Sequence, residues 1–165
     1  MGMKSKNTLV KMTILIFVIV ILFSYFYALL TSDIPINKPS VKIEYNDKVV
    51  PTSIGEHTWS GKPIKGQKTG SSYLAGPSYD VGMAVSRVSV KPNSEIEVIF
   101  TSAPVEMTLR TWVVGNSTNY STEKFDSLKQ YTITLPNKKG EYIFEVIGDW
   151  GEANNISTIF RVNVE

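Results

Sequence analysis

His57 is the only histidine in the chain, and there is no cysteine. Serine and cysteine nucleophiles usually work beside a histidine, and most zinc sites draw on histidine or cysteine. A zinc ion at His57 would have to recruit carboxylates such as Glu56, which is a poor donor set. No serine sits in a Gly-x-Ser-x-Gly elbow, and Ser86 and Ser89 read as polar positions of a strand. The sequence therefore predicts no catalytic centre, no metal and no cofactor. Proton transfer by His57 in an extracytoplasmic enzyme or enzyme subunit is the alternative.

Binding chemistry has more candidates. The stretch GKPIKGQKTG places Lys62, Lys65 and Lys68 together without an acid. His57, Trp59, Tyr73 and Tyr79 are close by in sequence. Basic and aromatic groups together suit phosphate-bearing wall polymers, lipid headgroups or carbohydrate. The plainer reading is a solvated, mobile loop. A second cluster, DWGEANN, brings Asp149, Glu152, Asn154 and Asn155 into one loop. Oxygen-rich loops hold calcium, but this spacing misses the ligand pattern and suits a polar hairpin turn. Trp150 at the tip of that loop reads as an interface residue or as a ring folded back onto the sheet. Exposed lysines with Trp59 or Trp150 would favour binding, whereas burial of His57 and both tryptophans would leave a structural domain.

The position of these groups depends on an address. Residues 13–30, TILIFVIVILFSYFYALL, carry no charge. A helix of that length rises about 27 Å, close to the roughly 30 Å of a bilayer core. Lys4, Lys6 and Lys11 precede the run and no acid appears before Asp33, so the N-terminus is expected in the cytoplasm and residues 33–165 outside. Tyr25 and Tyr27 fall near the outer interface. A cleaved signal peptide is the rival, but the run exceeds a usual signal core and Leu30 is a poor cleavage-site residue. An uncleaved signal-anchor is the favoured reading. No cysteine follows the run, so there is no lipoprotein anchor.

Three of the 17 Lys and Arg lie before the run, leaving 14 against 15 acidic residues outside. That near-neutral balance disfavours nucleic acid as a partner. Without disulfides the exported part must stand on its core, for which about 125 residues suffice.

The expected layout is a cytoplasmic tail at 1–12, a transmembrane signal-anchor at 13–30, a proline-marked stalk at 31–40, a loop-rich segment at 41–82, and a sandwich at 83–165. Val41–Tyr45 alternates, turns at Asn46–Lys48, and returns over Val49–Thr52. Residues 53–82 show no period beyond a short strand around His57–Ser60. Strands are then expected at Met83–Val90, Glu95–Phe100, Glu106–Val114, Gln130–Leu135, Glu141–Ile147 and Ser157–Val164, with 123–129 a strand or a helical turn. No helical period appears outside the membrane run. Short strands at such spacing indicate an all-β antiparallel sandwich or barrel.

Within KKGEYIFEVIGDW, Tyr142, Phe144 and Val146 share one face and Glu141, Ile143, Glu145 and Ile147 the other. This stretch resembles strand F of immunoglobulin-like domains, whose tyrosine lies two residues before a cysteine and caps the corner through its hydroxyl. The resemblance puts Phe144 in the cysteine position, Trp112 of LRTWVV as the strand C tryptophan packed over it, and Val98 or Phe100 as the strand B partner. The whole layout is similar to membrane-anchored or secreted proteins of Bacillus-type Gram-positive bacteria, which pair a Gly-x-x-x-Trp segment (Gly55–Trp59) with a strand pair like VKPNSEIEVIF (Val90–Phe100). That resemblance implies an address at the cell surface and carries no activity.

The function expected from all this is a membrane-tethered, extracytoplasmic interaction module with a protein or cell-wall polymer partner. A regulatory subunit of a membrane complex is the other alternative.

Overall fold

Two-residue periodicity governs most of the chain beyond residue 40, and the strands follow it. The computed structural model describes residues 11–24, 34–61 and 70–165. Residues 11–24 form a helix, α1, whose apolar side chains are exposed. It belongs to a unit of its own, Met1–Asp33, while Ile34–Glu165 forms the other. Among the described residues no helix is long and apolar enough to cross a membrane. The span expected over 13–30 runs past α1 into residues 25–30, which lie outside the described residues.

The second unit is mostly β, two sheets forming a sandwich. One sheet has β1 (Val41–Tyr45), β2 (Lys48–Val49), β6 (Glu95–Phe100) and β9 (Gln130–Thr134) in the order β2-β1-β6-β9. The other contains β3 (Thr52–Trp59), β4 (Ser71–Tyr73), β7 (Glu106–Val113), β8 (Tyr120–Asp126), β10 (Gly140–Asp149) and β11 (Asn155–Val164), in the order β4-β3-β11-β10-β7-β8. Their pairings are antiparallel. The exception is β5 (Val88–Val90), which runs parallel to the last residues of β11. Hence β11 has β10 along one edge and shares its other edge between β3 and β5.

The core lies between the sheets. Ile43, Ile96, Val98 and Phe100 meet Leu109, Phe144, Phe160 and Val162 across it. Phe144 stacks on Phe160 with centroids 5.0 Å apart. The Tyr142 hydroxyl donates to the Lys138 carbonyl at 2.9 Å, four residues upstream, which is the corner contact the sequence led us to expect. Trp112 departs from that expectation. Leu109 and Met107 of β7 face the core, and Trp112 lies an odd number of positions from both. It therefore emerges on the outer face, against Ile143, Ile159 and Tyr120.

That outer face explains the helix that the sequence did not announce. Residues 83–90 were expected as one strand, yet Ser78–Ala84 is a helix, α2, and only Val88–Val90 pairs. The outward apolar residues Trp112, Ile143 and Ile159 need cover, and Tyr79 and Val81 pack against them. Gly82 allows the close approach: a Cβ there would stand 2.3 Å from Ile143 Cγ2. The ends of α2 are tied by Ser78, which donates to Glu145 at 2.9 Å, and by Arg161, which donates to the Met83 carbonyl at 2.9 Å.

The loop-rich segment is also more ordered than its composition implies. β3 runs eight residues, where a short strand around His57–Ser60 was expected. Residues 34–40, expected to form part of a stalk, lie on the domain. Ile34 packs against the core, Pro39 is buried, and Ser40 exchanges hydrogen bonds with Thr101 at 2.9 and 3.0 Å.

Candidate functional site

β3 gathers most of the residues singled out from sequence. Thr52–Trp59 alternates, but the register slips once. His57 pairs with Ile156 and Ile54 with Thr158, so Gly55 and Glu56 together oppose Ser157. Gly55 is required at this bulge, because a Cβ would sit 2.2 Å from the Ser157 hydroxyl oxygen. That hydroxyl donates to the buried Glu145 carboxylate at 2.6 Å. Arg110 is Glu145's ion-pair partner at 3.2 Å. The charge of Glu145 is thus met by three donors from β7, α2 and β11, as a buried carboxylate requires.

Beyond the bulge, His57 and Trp59 point to the interior. Trp59 is 5% exposed and meets Trp150 edge-on at 5.5 Å. Trp150 is only 2% exposed, so the loop-tip tryptophan is a core residue and not a surface one. Its ring fills the space left by Gly148, where a Cβ would come within 2.7 Å of the indole. The loop that carries it is held by Asn154. The Asn154 carboxamide oxygen accepts from the Ser60 and Gly61 backbone N–H groups at 2.7 and 3.0 Å, and its nitrogen donates to the Gly151 carbonyl at 3.0 Å. Asp149 accepts from Gly151 N–H at 2.7 Å. These oxygens close a hairpin turn. Among the described residues no three His, Asp or Glu side chains converge as a metal site would need.

His57 is 8% exposed. Its Nε2 lies 3.3 Å from the Lys38 ammonium, its ring stacks on Tyr73 at 5.7 Å, and its Nδ1 has no hydrogen-bond partner. An ammonium offers only N–H groups, so Nε2 accepts and the imidazole is neutral with its proton on Nδ1. Burial first, and Lys38 second, hold its pKa below the ordinary 6.5. Neither ring nitrogen is bonded to a hydroxyl or carboxylate, so the arrangement differs from a nucleophile–base pair.

Outside this ring runs an open groove lined by Thr52, Ser53, Ile54, His57 and Tyr73. It continues over Val81 and Val85 at the α2 end. β4 pairs with β3 only at His57–Trp59, so the outer edge of Thr52–Glu56 has no strand beside it among the described residues. Ile54 is 58% exposed, Tyr73 51% and the adjoining Leu74 81%.

Tyr79, the remaining aromatic candidate, packs against the outer cluster, and its hydroxyl accepts from Gly115 N–H at 2.8 Å. Lys62, Lys65 and Lys68 fall in 62–69, outside the described residues. By chain order they connect β3 to β4. Sequence reasoning missed Lys38 and the Glu145 group. Lys38 sits among prolines 19 positions before His57, and nothing local signals that pairing.

No protein-family model matches the chain, and no curated protein matches it. Among solved structures it is similar to one described as a neutron crystallographic structure of a Jonesia denitrificans lytic polysaccharide monooxygenase. The identity is 16% and the TM-score 0.36, over 50% of this chain and 60% of that one. The match is a distant likeness between β-sandwich folds.

Proposed function

We propose that this chain is a membrane-tethered, extracytoplasmic module with an immunoglobulin-like sandwich that binds a protein partner at the cell surface. Burial of His57, Trp59 and Trp150 removes the aromatic surface expected from sequence and by itself would leave a structural domain; the groove beside the open edge of β3 carries the binding reading instead. Ile54, Tyr73 and Leu74 expose apolar surface there while the other strong aromatic candidates are buried. An unpaired strand edge flanked by apolar side chains suits an extended peptide, which can add main-chain hydrogen bonds along it. The tether is supported by the uncharged run that continues from α1 to Leu30, and by the lysines before it. Confinement beside the membrane raises the effective concentration for a weak contact. The immunoglobulin-like assignment is supported by the Tyr142 corner.

The test is cross-linking and recovery from intact source cells with the full-length chain as bait. It is run beside Ile54→Asp/Leu74→Asp and beside Lys62→Glu/Lys65→Glu/Lys68→Glu. A protein recovered with the parent and the lysine variant, and lost with the groove variant, is the expected result. Loss only with the lysine variant would transfer the contact to an anionic wall polymer. Nothing specific from any bait would refute the binding role.

A further inference from the structure

We propose that Lys38 and His57 form a proton-operated latch that holds residues 34–38 against β3, and that protonation of His57 releases them. The latch goes beyond the binding role and does not depend on it. Its geometry allows one closed form. The Lys38 ammonium donates to Nε2 at 3.3 Å, which requires a neutral ring. A proton on Nε2 removes the acceptor and sets two positive charges at the same short distance.

Among the described residues no opposite charge acts on the ring to offset that repulsion. Tyr73 of β4 supplies a stacked ring, and β11 presents Ile156 opposite His57. Glu56 directly precedes His57 on β3 with its side chain exposed, and among the described residues Lys38 is the charge that acts on the ring. Lys38 in turn has no carboxylate partner among the described residues. Nδ1 is buried without a partner in the closed form, so the ring is not anchored through its second nitrogen.

The release has a natural limit. Pro39 is buried, and Ser40 is pinned to Thr101 through both its N–H and its carbonyl. The pivot therefore lies at Pro39–Ser40. Ile34, which packs against the core, must leave its place as well, and the five freed residues then add at most about 17 Å of reach. If the chain is anchored as proposed above, acidification lengthens its tether.

Two features make the test direct. The only histidine gives one unambiguous imidazole signal in NMR, and the absence of native cysteine permits paired spin labels at Ile36→Cys and Thr122→Cys, both exposed positions. The full-length chain in detergent is measured from pH 8 to pH 4. The expected result is one narrow distance at pH 8 and a broad, longer distribution at acid pH. The open fraction should rise about tenfold per pH unit until it saturates, as a one-proton linkage demands. The midpoint should coincide with the imidazole titration. His57→Gln keeps a neutral acceptor and should stay narrow throughout, whereas Lys38→Met should be broad at every pH. An unchanged distance while His57 titrates, an imidazole that does not titrate in this range, or a His57→Gln protein that opens like the parent would each overturn the latch.

Discussion

Alanine at position 82 should destabilise this protein and yet stabilise its Ile143→Ala variant. Gly82 lies within α2, where glycine costs about 1 kcal/mol relative to alanine. Propensity alone would make Gly82→Ala favourable. Packing opposes it, because the new Cβ would meet Ile143 Cγ2 at 2.3 Å and Cγ1 at 3.1 Å. Ile143 is fully buried in the middle strand of the larger sheet and cannot withdraw. Overpacking of this kind costs about 1–3 kcal/mol, so the net change is a loss of up to about 2 kcal/mol. Ile143→Ala alone should cost about 2–5 kcal/mol by opening a cavity. In that background the Gly82→Ala methyl enters the vacated space and the propensity term survives, giving a gain of about 1 kcal/mol. The coupling between the two sites is then about 1–3 kcal/mol, in the range found for residues in contact. Trp59, Trp112 and Trp150 all lie in the sandwich unit, so tryptophan fluorescence of the full chain reports its unfolding alone. Each kcal/mol should move Tm by about 4 °C for a unit of this size. A higher Tm for Gly82→Ala in both backgrounds would refute the seating of α2 on Ile143.

The other expectations are simpler. Tyr142→Phe removes the hydroxyl that meets the Lys138 carbonyl and should cost about 1 kcal/mol in thermal or denaturant unfolding. Gly55→Ala should cost more, about 1–3 kcal/mol, because its Cβ strikes the Ser157 hydroxyl; Gly55→Ala/Ser157→Gly should recover part of the loss. Glu141 has its pKa lowered from 4.5 chiefly by the hydrogen bond from Arg161, with Arg87 adding to it. A depressed folded pKa means stability that is complete above pH 4.5 and declines as pH falls through the folded value. Acid melts of Glu141→Gln should be correspondingly flatter below pH 4.5 than those of the parent.

The strands that alternate strictly could be read at once. Glu95–Phe100 has the bounds expected of it, and Glu106–Val113 and Gln130–Thr134 differ by a single residue. Glu95–Phe100 and Gln130–Thr134 each bury one face, and Glu106–Val113 alternates through Met107 and Leu109 before Trp112 is buried on the other side; a side-chain period of two leaves little choice of register. Two kinds of feature escaped. β8 is legible only in part, as a strand or helical turn from residue 123; it begins at Tyr120, inside a run of Asn, Ser and Thr that composition marks as a turn. It is the outermost strand of its sheet, almost wholly exposed, and so carries no apolar alternation to detect. α2 escaped because seven residues are too few to establish a helical period, and MAVSRVSV mimics a strand. Its cause is nonlocal: the outward stripe of Trp112, Ile143 and Ile159 exists only once β7, β10 and β11 are side by side.

The candidate site was legible only in part, for a related reason. In sequence, Trp59 and His57 group with a binding surface, and Trp150 reads as an interface residue or a ring folded back, because each lies beside glycines and polar residues, where exposure is the usual outcome. The glycines are instead the means of burial. Gly148 leaves room for the Trp150 ring, and Gly55 lets β3 close over Ser157 so that His57 and Trp59 turn inward. A glycine one or two residues from a large aromatic can thus mark a packed ring rather than a mobile loop. What remains outside is set by the unequal sheets. β3 lies beyond β11, near one margin of the larger sheet, and β4 meets it over only three residues. The inward face of β3 is therefore covered at Trp59 but open at Ile54, and His57 lies between them beneath the Lys38 segment. The groove and the latch share that boundary. A ligand in the groove would touch Tyr73, and Tyr73 stacks on the ring whose protonation frees residues 34–38. Occupancy and release should consequently be coupled. A ligand that favours the closed form must lower the pH at which His57 lets go, by the same free energy that acidification subtracts from its binding.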